Sequence, residues 1–145
     1  GAALAAAIGG ATRRAAGEDP AGRVWLVDTL GELGLVYRLA PLVVMGKSFI
    51  APGGGQNPLE PARLGSAVAF GPLMANFAPI AARLVDAGAA LQLPGPEALA
   101  GALTELLNDP ARLARMGASA AGLAAHEAGV LDRVTDAIRP LLPLA

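Results

Sequence analysis

The chain has 145 residues, a length that fits one ordinary domain or part of a larger protein. Its 54% hydrophobic residues, 16% charged residues and net charge of −1 argue against disorder and against a nucleic-acid-binding surface. It has no cysteine and one histidine, so disulfides, thiolate metal sites and histidine-based metal sites are not expected. The best apolar run, residues 39–45, is far shorter than the roughly 20 residues of a membrane span.

Strands and helices are predicted to alternate up to residue 93. The opening residues 1–7 resemble the end of a helix, and residues 11–15 are a weak candidate for an edge strand. Apolar strands are predicted at 23–28, 41–46, 67–71 and 89–93, and helices at 29–40, 58–64 and 76–88. This alternation, with strands that are apolar throughout, predicts a parallel sheet covered on both faces, with strands 24–27, 42–45, 67–70 and 89–92 side by side.

The first of these helices has its own start signal. Asp28 or Thr29 can cap it, and Glu32 falls in its first turn, where the helix dipole favours a carboxylate. The remainder of the chain is predicted to be helical, over 96–108, 110–125 and 129–141, with Pro140 helping to stop the last helix.

In parallel α/β sheets, ligands bind beyond the carboxyl ends of the strands. Those ends carry the segments 28–31, 46–60 and 71–76, which are rich in glycine and amide residues. The sequence therefore predicts any ligand site at this edge of the sheet.

The segment GGGQNPLEPARLG, residues 53–65, combines backbone freedom with backbone restraint. Its three leading glycines permit positive φ angles and a close approach of a ligand to the backbone. Asn57 suits a helix N-cap, Pro58 suits the first helical position, and Glu60 lies three residues after the cap. The resulting helix terminus suits an anion such as phosphate. Spacing alone supports two interpretations equally, a capped turn without a ligand and a ligand-binding loop.

Other motifs are weaker. The segment MGKS, residues 45–48, resembles the end of a phosphate-binding P-loop, but Pro41 stands where the motif requires a glycine. No G-x-G-x-x-G follows a predicted strand. His126 is expected to be a surface or packing residue.

Four segments resemble, in the same order, the 3-deoxy-D-manno-octulosonic acid (Kdo) transferases, which are glycosyltransferases of the GT-B fold. They are DTLGELG at 28–34, GGGQNPLEPARLG at 53–65, FGPLMANF at 70–77 and DAGAALQL at 86–93. The resemblance implies an α/β fold, the Rossmann-like parallel sheet of the GT-B C-terminal domain without its first strands, followed by a helical C-terminal tail. Residues 1–145 are then part of the nucleotide-sugar (donor) domain, and the N-terminal acceptor domain, with its membrane anchor and base, is absent.

The resemblance also implies an activity for the parent protein. That activity is transfer of Kdo from the donor CMP-Kdo to a lipid A precursor in lipopolysaccharide biosynthesis, at the cytoplasmic face of the bacterial inner membrane. No cofactor, metal or nucleic acid is expected, the chain holds no expected catalytic residue, and we expect the chain alone to be inactive and soluble. Two alternatives remain, another GT-B glycosyltransferase with a different sugar nucleotide and a catalytically silent nucleotide-binding or interaction domain.

By resemblance, Glu60 matches the acidic residue that binds the nucleotide ribose. A carboxylate suits that task because it accepts hydrogen bonds from two hydroxyl groups. The other residues expected at the donor are Gly31, Glu32, Gly54, Gly55, Gln56 and Asn57.

Three positions depart from the family pattern. Gln56 replaces a histidine and retains hydrogen-bonding capacity, whereas Leu73 replaces another histidine and does not. Lys47 stands where the family usually has a second glycine. Two orientations of Lys47 remain open, one toward the donor phosphate or carboxylate and one toward solvent.

Overall fold

The structure, a computed structural model, describes residues 1–139. Its helices and strands are α1 (Ala2–Ile8), β1 (Thr12–Arg13), β2 (Trp25–Leu26), α2 (Leu33–Leu39), β3 (Leu42–Val44), α3 (Leu59–Arg63), β4 (Ala67–Phe70), α4 (Ala78–Asp86), β5 (Ala90–Gln92), α5 (Leu99–Leu107) and α6 (Pro110–Ile138). The chain divides into two compact units, Gly1–Val36 and the part from Tyr37 onward.

Every strand pairing in the described residues is parallel. β1 pairs with β2, and β3, β4 and β5 form a three-stranded sheet in that order. The predicted strand positions and the parallel pairing are confirmed, including the weak edge strand at 11–15. The expectation of one sheet for all four apolar strands was wrong, because β2 takes the short β1 as its hydrogen-bonded neighbour.

The central strand β4 explains why the sequence is apolar throughout each strand of the larger sheet. All four of its residues are buried, because it has a strand on each side and α3 and α6 packed against it. Phe70 and Leu84 are completely buried in one cluster with Ala120 and Ala124 of α6. This core fixes the strand ends from which the polar loops leave.

Helix α2 begins at Leu33, four residues later than predicted. Gly31 has a φ of +84°, which lies outside the right-handed helical region, and the Glu32 carbonyl accepts the first helical hydrogen bonds. Glu32 therefore marks the helix start instead of lying in the first turn. The predicted caps Asp28 and Thr29 were wrong, because both lie outside the helix start.

Helix α6 runs without a break over Pro110–Ile138, although the sequence predicted two helices at 110–125 and 129–141. Gly129 lies inside it, because one glycine costs a helix only about 1 kcal/mol and the neighbouring sequence is rich in alanine. The predicted stop at Pro140 lies outside the described residues. Within the described residues, none of the helices is both long and apolar enough to cross a membrane.

The unit Gly1–Val36 has no fully buried residue. It is held by the short β1–β2 ladder and by ion pairs such as Arg13 with Asp28, whose nitrogen and oxygen atoms lie 2.6 Å apart. Its exposed large apolar side chains are Leu4, Ile8, Val24, Leu30, Leu33 and Leu35. Burial of apolar surface is the main source of folding free energy, so this unit has a weak basis for stability.

We therefore predict that the two units differ in resistance to local opening. Backbone amides of β1 and β2 should exchange with solvent through openings of low free energy, whereas amides of β4 should exchange only on global unfolding. Native-state hydrogen exchange followed by NMR measures both. Equal protection of Thr12–Leu26 and Ala67–Phe70 would contradict the prediction.

Candidate functional site

Two loops meet at the carboxyl edge of the three-stranded sheet. The first, residues 45–58, follows β3, and the second, residues 71–77, follows β4. Backbone hydrogen bonds join them, from the Asn76 N–H to the Gly54 carbonyl at 3.1 Å and from the Leu73 N–H to the Ser48 carbonyl at 2.9 Å. We call residues 45–58 the glycine loop and residues 71–77 the partner loop.

The three glycines at 53–55 are required by space as well as by conformation. All three have positive φ angles, of 65°, 98° and 77°. A Cβ atom added at Gly54 would lie 2.6 Å from the Asn76 Nδ2 atom, and one added at Gly55 would lie 2.5 Å from the Met74 Sδ atom. The backbone freedom seen in the sequence thus lets the glycine loop lie directly against the partner loop.

Ser48 fastens the base of both loops, and the sequence analysis missed it. Its hydroxyl is fully buried, donates to the Met45 carbonyl at 2.7 Å and accepts from the Gly71 N–H at 3.0 Å. The signal was present in the segment MGKS, which places a small hydroxyl residue in the turn after an apolar strand. Removing this hydroxyl would leave two buried backbone groups without partners.

Asn57 caps α3. Its Oδ1 atom accepts from the Leu59 N–H at 3.1 Å. Pro58 occupies the N-cap position instead of the first helical position, so the capping side chain acts from one residue further out. With five residues, α3 gives little support to the predicted preference of its N-terminus for an anion.

Glu60 does not complete the predicted capping arrangement. Within the described residues its carboxylate forms no hydrogen bond or ion pair, and the residue is exposed. Burial, and after it the negative charge of Glu60, raises the pKa of Tyr37, so the carboxylate lies within electrostatic reach of that phenol. Asn57 therefore caps α3 without a contribution from the Glu60 carboxylate.

Gln56 is exposed and lies over the turn at the start of the glycine loop. Its Oε1 atom is 3.0 Å from the position that a Cβ at Gly46 would take. Gly54, Gly55, Gln56, Asn57 and Glu60 lie within one short segment of the sequence, and of these Gly54 and Gly55 lie against the partner loop.

An open pocket of about 470 Å³ lies at the same edge of the sheet. The glycine loop, the partner loop, α4 and Gln92 at the end of β5 line it, and the exposed amides of Asn76 and Gln92 are among its polar groups. Of the predicted site residues only Gly54 lines this pocket. Gln92 was not predicted, although a polar residue at the last position of an apolar strand is a usable signal.

Gly31 and Glu32 belong to the unit Gly1–Val36. The Glu32 carboxylate accepts from the Arg14 Nη2 atom at 2.8 Å and from the Thr29 hydroxyl. The hydrogen bonds from Arg14 and then Thr29 lower the pKa of Glu32 to about 2. Intramolecular partners therefore occupy this carboxylate, whereas Gly31 has open space around it. A role for either residue at the donor stays a prediction.

A parallel α/β sheet with a glycine loop at its carboxyl edge defines a Rossmann-like ligand-binding domain. A scan against protein-family models gives no match. The chain is 38% identical over 133 residues to a 3-deoxy-D-manno-octulosonic acid transferase of Bordetella pertussis, covering 90% of this chain and 31% of that protein. It is 33% identical over 122 residues to the transferase of the same name from Rickettsia typhi, covering 83% of this chain and 26% of that protein.

A solved structure agrees with the sequence relatives. The C-terminal CMP-Kdo binding domain of WaaA from Acinetobacter baumannii superimposes with a TM-score of 0.72 at 31% identity, covering 76% of this chain and 58% of that chain. The chain belongs to the 3-deoxy-D-manno-octulosonic acid transferase family. It spans about a third or less of the length of the curated relatives described above.

We predict that Gly55→Ala destabilises the protein more than Gly65→Ala. Both glycines have similar φ angles, 77° and 80°, but a Cβ at Gly65 has nothing within 4 Å. Both variants carry the cost of about 1–2 kcal/mol for a left-handed residue with a Cβ, and only Gly55→Ala adds a clash with Met74. Urea unfolding measures both free energies, and equal losses would show that the loops are not in close contact.

The ion pair of Glu32 predicts a pH dependence. Its pKa falls from 4.5 to about 2 on folding, so the carboxylate stabilises the folded unit fully above pH 4.5 and loses this effect as the pH falls toward 2. The difference in stability between wild type and Glu32→Gln should therefore shrink over that range. Hydrogen exchange of Gly1–Val36 at several pH values measures it, with Glu105→Gln as the control for an exposed carboxylate. A difference that stays constant with pH contradicts the assignment.

Proposed function

We propose that this chain is part of the donor-binding domain of a glycosyltransferase that moves Kdo from CMP-Kdo to a lipid A precursor. The observation that carries the proposal is the Glu60 carboxylate at the carboxyl edge of the sheet, which has no hydrogen-bond or ion-pair partner among the described residues and lies beside a glycine loop whose capping residue is Asn57. Relatives named 3-deoxy-D-manno-octulosonic acid transferase and a solved CMP-Kdo binding domain support it.

In this proposal the acceptor hydroxyl attacks the anomeric carbon of Kdo. A carbon–oxygen bond to the acceptor forms, the bond from the anomeric carbon to the phosphate oxygen breaks, and CMP leaves. The hydroxyl proton passes to a base outside this chain. The chain itself holds the CMP part, so Glu60 acts in binding and orientation, the effects by which positioned reactants lower a barrier.

The same proposal places the parent protein at the cytoplasmic face of the bacterial inner membrane, where its lipid acceptor lies. The N-terminal acceptor domain would supply the acceptor site and the base. The exposed apolar side chains of Gly1–Val36 support a further covering segment in such a longer protein.

We predict that Glu60 binds the ribose hydroxyls of CMP. Glu60→Gln should weaken CMP binding roughly 10- to 100-fold, the effect of losing hydrogen bonds to a charged group. Its free energy of unfolding should hardly change, because the carboxylate has no partner in the described residues. NMR titration and thermal melting of the wild-type and variant chains measure the two quantities.

Two comparisons make this test specific. 2′-Deoxy-CMP should bind wild type more weakly than CMP, and Glu60→Gln should lose that preference, because the two changes remove one interaction. Asn57→Ala should lose about 1 kcal/mol of stability through the missing cap, a loss that Glu60→Gln should not show. Unchanged CMP affinity with a lowered melting temperature in Glu60→Gln would refute the proposal. Titration with UMP, GDP and NAD separates it from a glycosyltransferase with another sugar nucleotide.

A further inference from the structure

Lys47 has an unusual backbone conformation for its residue type. Its φ of +57° makes it the single non-glycine residue with positive φ among the described residues. A side chain with a Cβ is strained in this region, which glycine, asparagine and aspartate enter more readily. Such strain persists only where surrounding contacts fix the backbone, and it is concentrated at functional sites.

Hydrogen bonds join the turn that contains Lys47 to the rest of the glycine loop and to the partner loop. The Lys47 carbonyl accepts from the Gly55 N–H at 3.0 Å. The next residue, Ser48, uses its hydroxyl and its carbonyl to bind backbone N–H groups of Gly71 and Leu73. Lys47 is therefore fixed where the glycine loop and the partner loop meet.

The charge of Lys47 is isolated in this part of the molecule. It is the only lysine of the chain, and between Arg38 and Arg63 the only charged residues are Lys47 and Glu60. Lys47 is exposed, and no carboxylate of the described residues forms an ion pair with it. The remaining polar residues of the glycine loop are neutral, so Lys47 is the one cation that this loop offers to an anionic ligand.

We propose that Lys47 binds an anionic group of the nucleotide-sugar donor, an inference that rests on the function proposed above. The donor carries two such groups, the phosphate and the carboxylate of Kdo. The isolated charge accounts for a lysine at a position where the backbone favours glycine. Lys47 and Glu60 then bind opposite kinds of group, an anion and a pair of hydroxyls.

The experiment compares cytidine, CMP and CMP-Kdo as ligands of the wild-type chain and of Lys47→Gln, observed by NMR titration. A contact with the phosphate predicts about tenfold weaker binding of both CMP and CMP-Kdo by the variant. A contact with the carboxylate predicts the loss for CMP-Kdo alone. Cytidine binding should be unchanged in either case.

Two variants control for other causes. Arg63→Gln removes an exposed positive charge from α3 and should leave binding unchanged. Lys47→Gly should lose donor affinity as Lys47→Gln does and melt at a higher temperature than wild type, because glycine relieves the strain. Loss of affinity in a more stable protein cannot come from unfolding.

Chemical labelling gives an independent readout. The chain has two kinds of amine, Lys47 and the N-terminus, so an acylating reagent should react at those positions alone. CMP or CMP-Kdo should protect Lys47 and leave the N-terminus reactive, as measured by mass spectrometry. If Lys47→Gln binds these ligands as tightly as wild type does, or if Arg63→Gln loses as much affinity as Lys47→Gln, this inference is overturned and the proposed function is not. Absence of CMP and CMP-Kdo binding by wild type overturns the proposed function with it.

Discussion

The backbone of Gly53–Gly55 touches the partner loop at distances that leave no room for a Cβ atom. This contact determines the form of the whole carboxyl edge. It sets the start of the segment from Gln56 to Glu60, and hydrogen bonds to Ser48 and Lys47 fasten the turn after β3 against the same two loops. Gln56 and Asn57 follow the glycines, and Pro58, whose φ is fixed, then restrains the backbone at the start of α3. The glycines thus permit the close contact between the loops, and the proline that follows restrains the backbone where the chain enters α3.

The residue that stabilises the helix, Asn57, and the residue proposed to bind the ligand, Glu60, thus lie in the same five-residue segment. The Asn57 side-chain oxygen accepts a hydrogen bond from the backbone of α3, and among the described residues the Glu60 carboxylate has no partner. A cap contributes about 1 kcal/mol to folding, whereas an exposed, unpaired carboxylate contributes almost nothing. The Glu60 carboxylate can therefore serve the ribose binding proposed above without a cost in stability. Glu32 is the opposite case, since Arg14 and Thr29 already occupy its oxygen atoms.

The sequence predicted the strands well because each is a short apolar run between turn residues, and burial of β4 on both faces requires that pattern. It placed the glycine loop at the carboxyl edge correctly, since the parallel direction of the strands follows from their alternation with helices. The local sequence pattern gave wrong or missing predictions where contacts between distant parts of the chain determine the structure. Helix α2 starts late because Gly31 is left-handed, and the roles of Ser48 and Gln92 appear only when distant loops meet. The pairing of β2 with β1 depends on which strand is nearest, and a periodic pattern does not contain that information.

In the unit Gly1–Val36, ion pairs do not compensate for the lack of a buried apolar core. Its ion pairs at Arg13 and Arg14 are partly exposed to solvent, and exposed ion pairs contribute little to stability because water screens them. Full burial of one leucine side chain contributes about 1.5–3 kcal/mol, yet Leu30 is fully exposed and Leu33 and Leu35 are half exposed. Covering these three side chains would therefore stabilise the unit more than its ion pairs do. In the longer protein proposed above, residues outside this chain would cover them; the chain matches 31% of the length of the Bordetella pertussis relative.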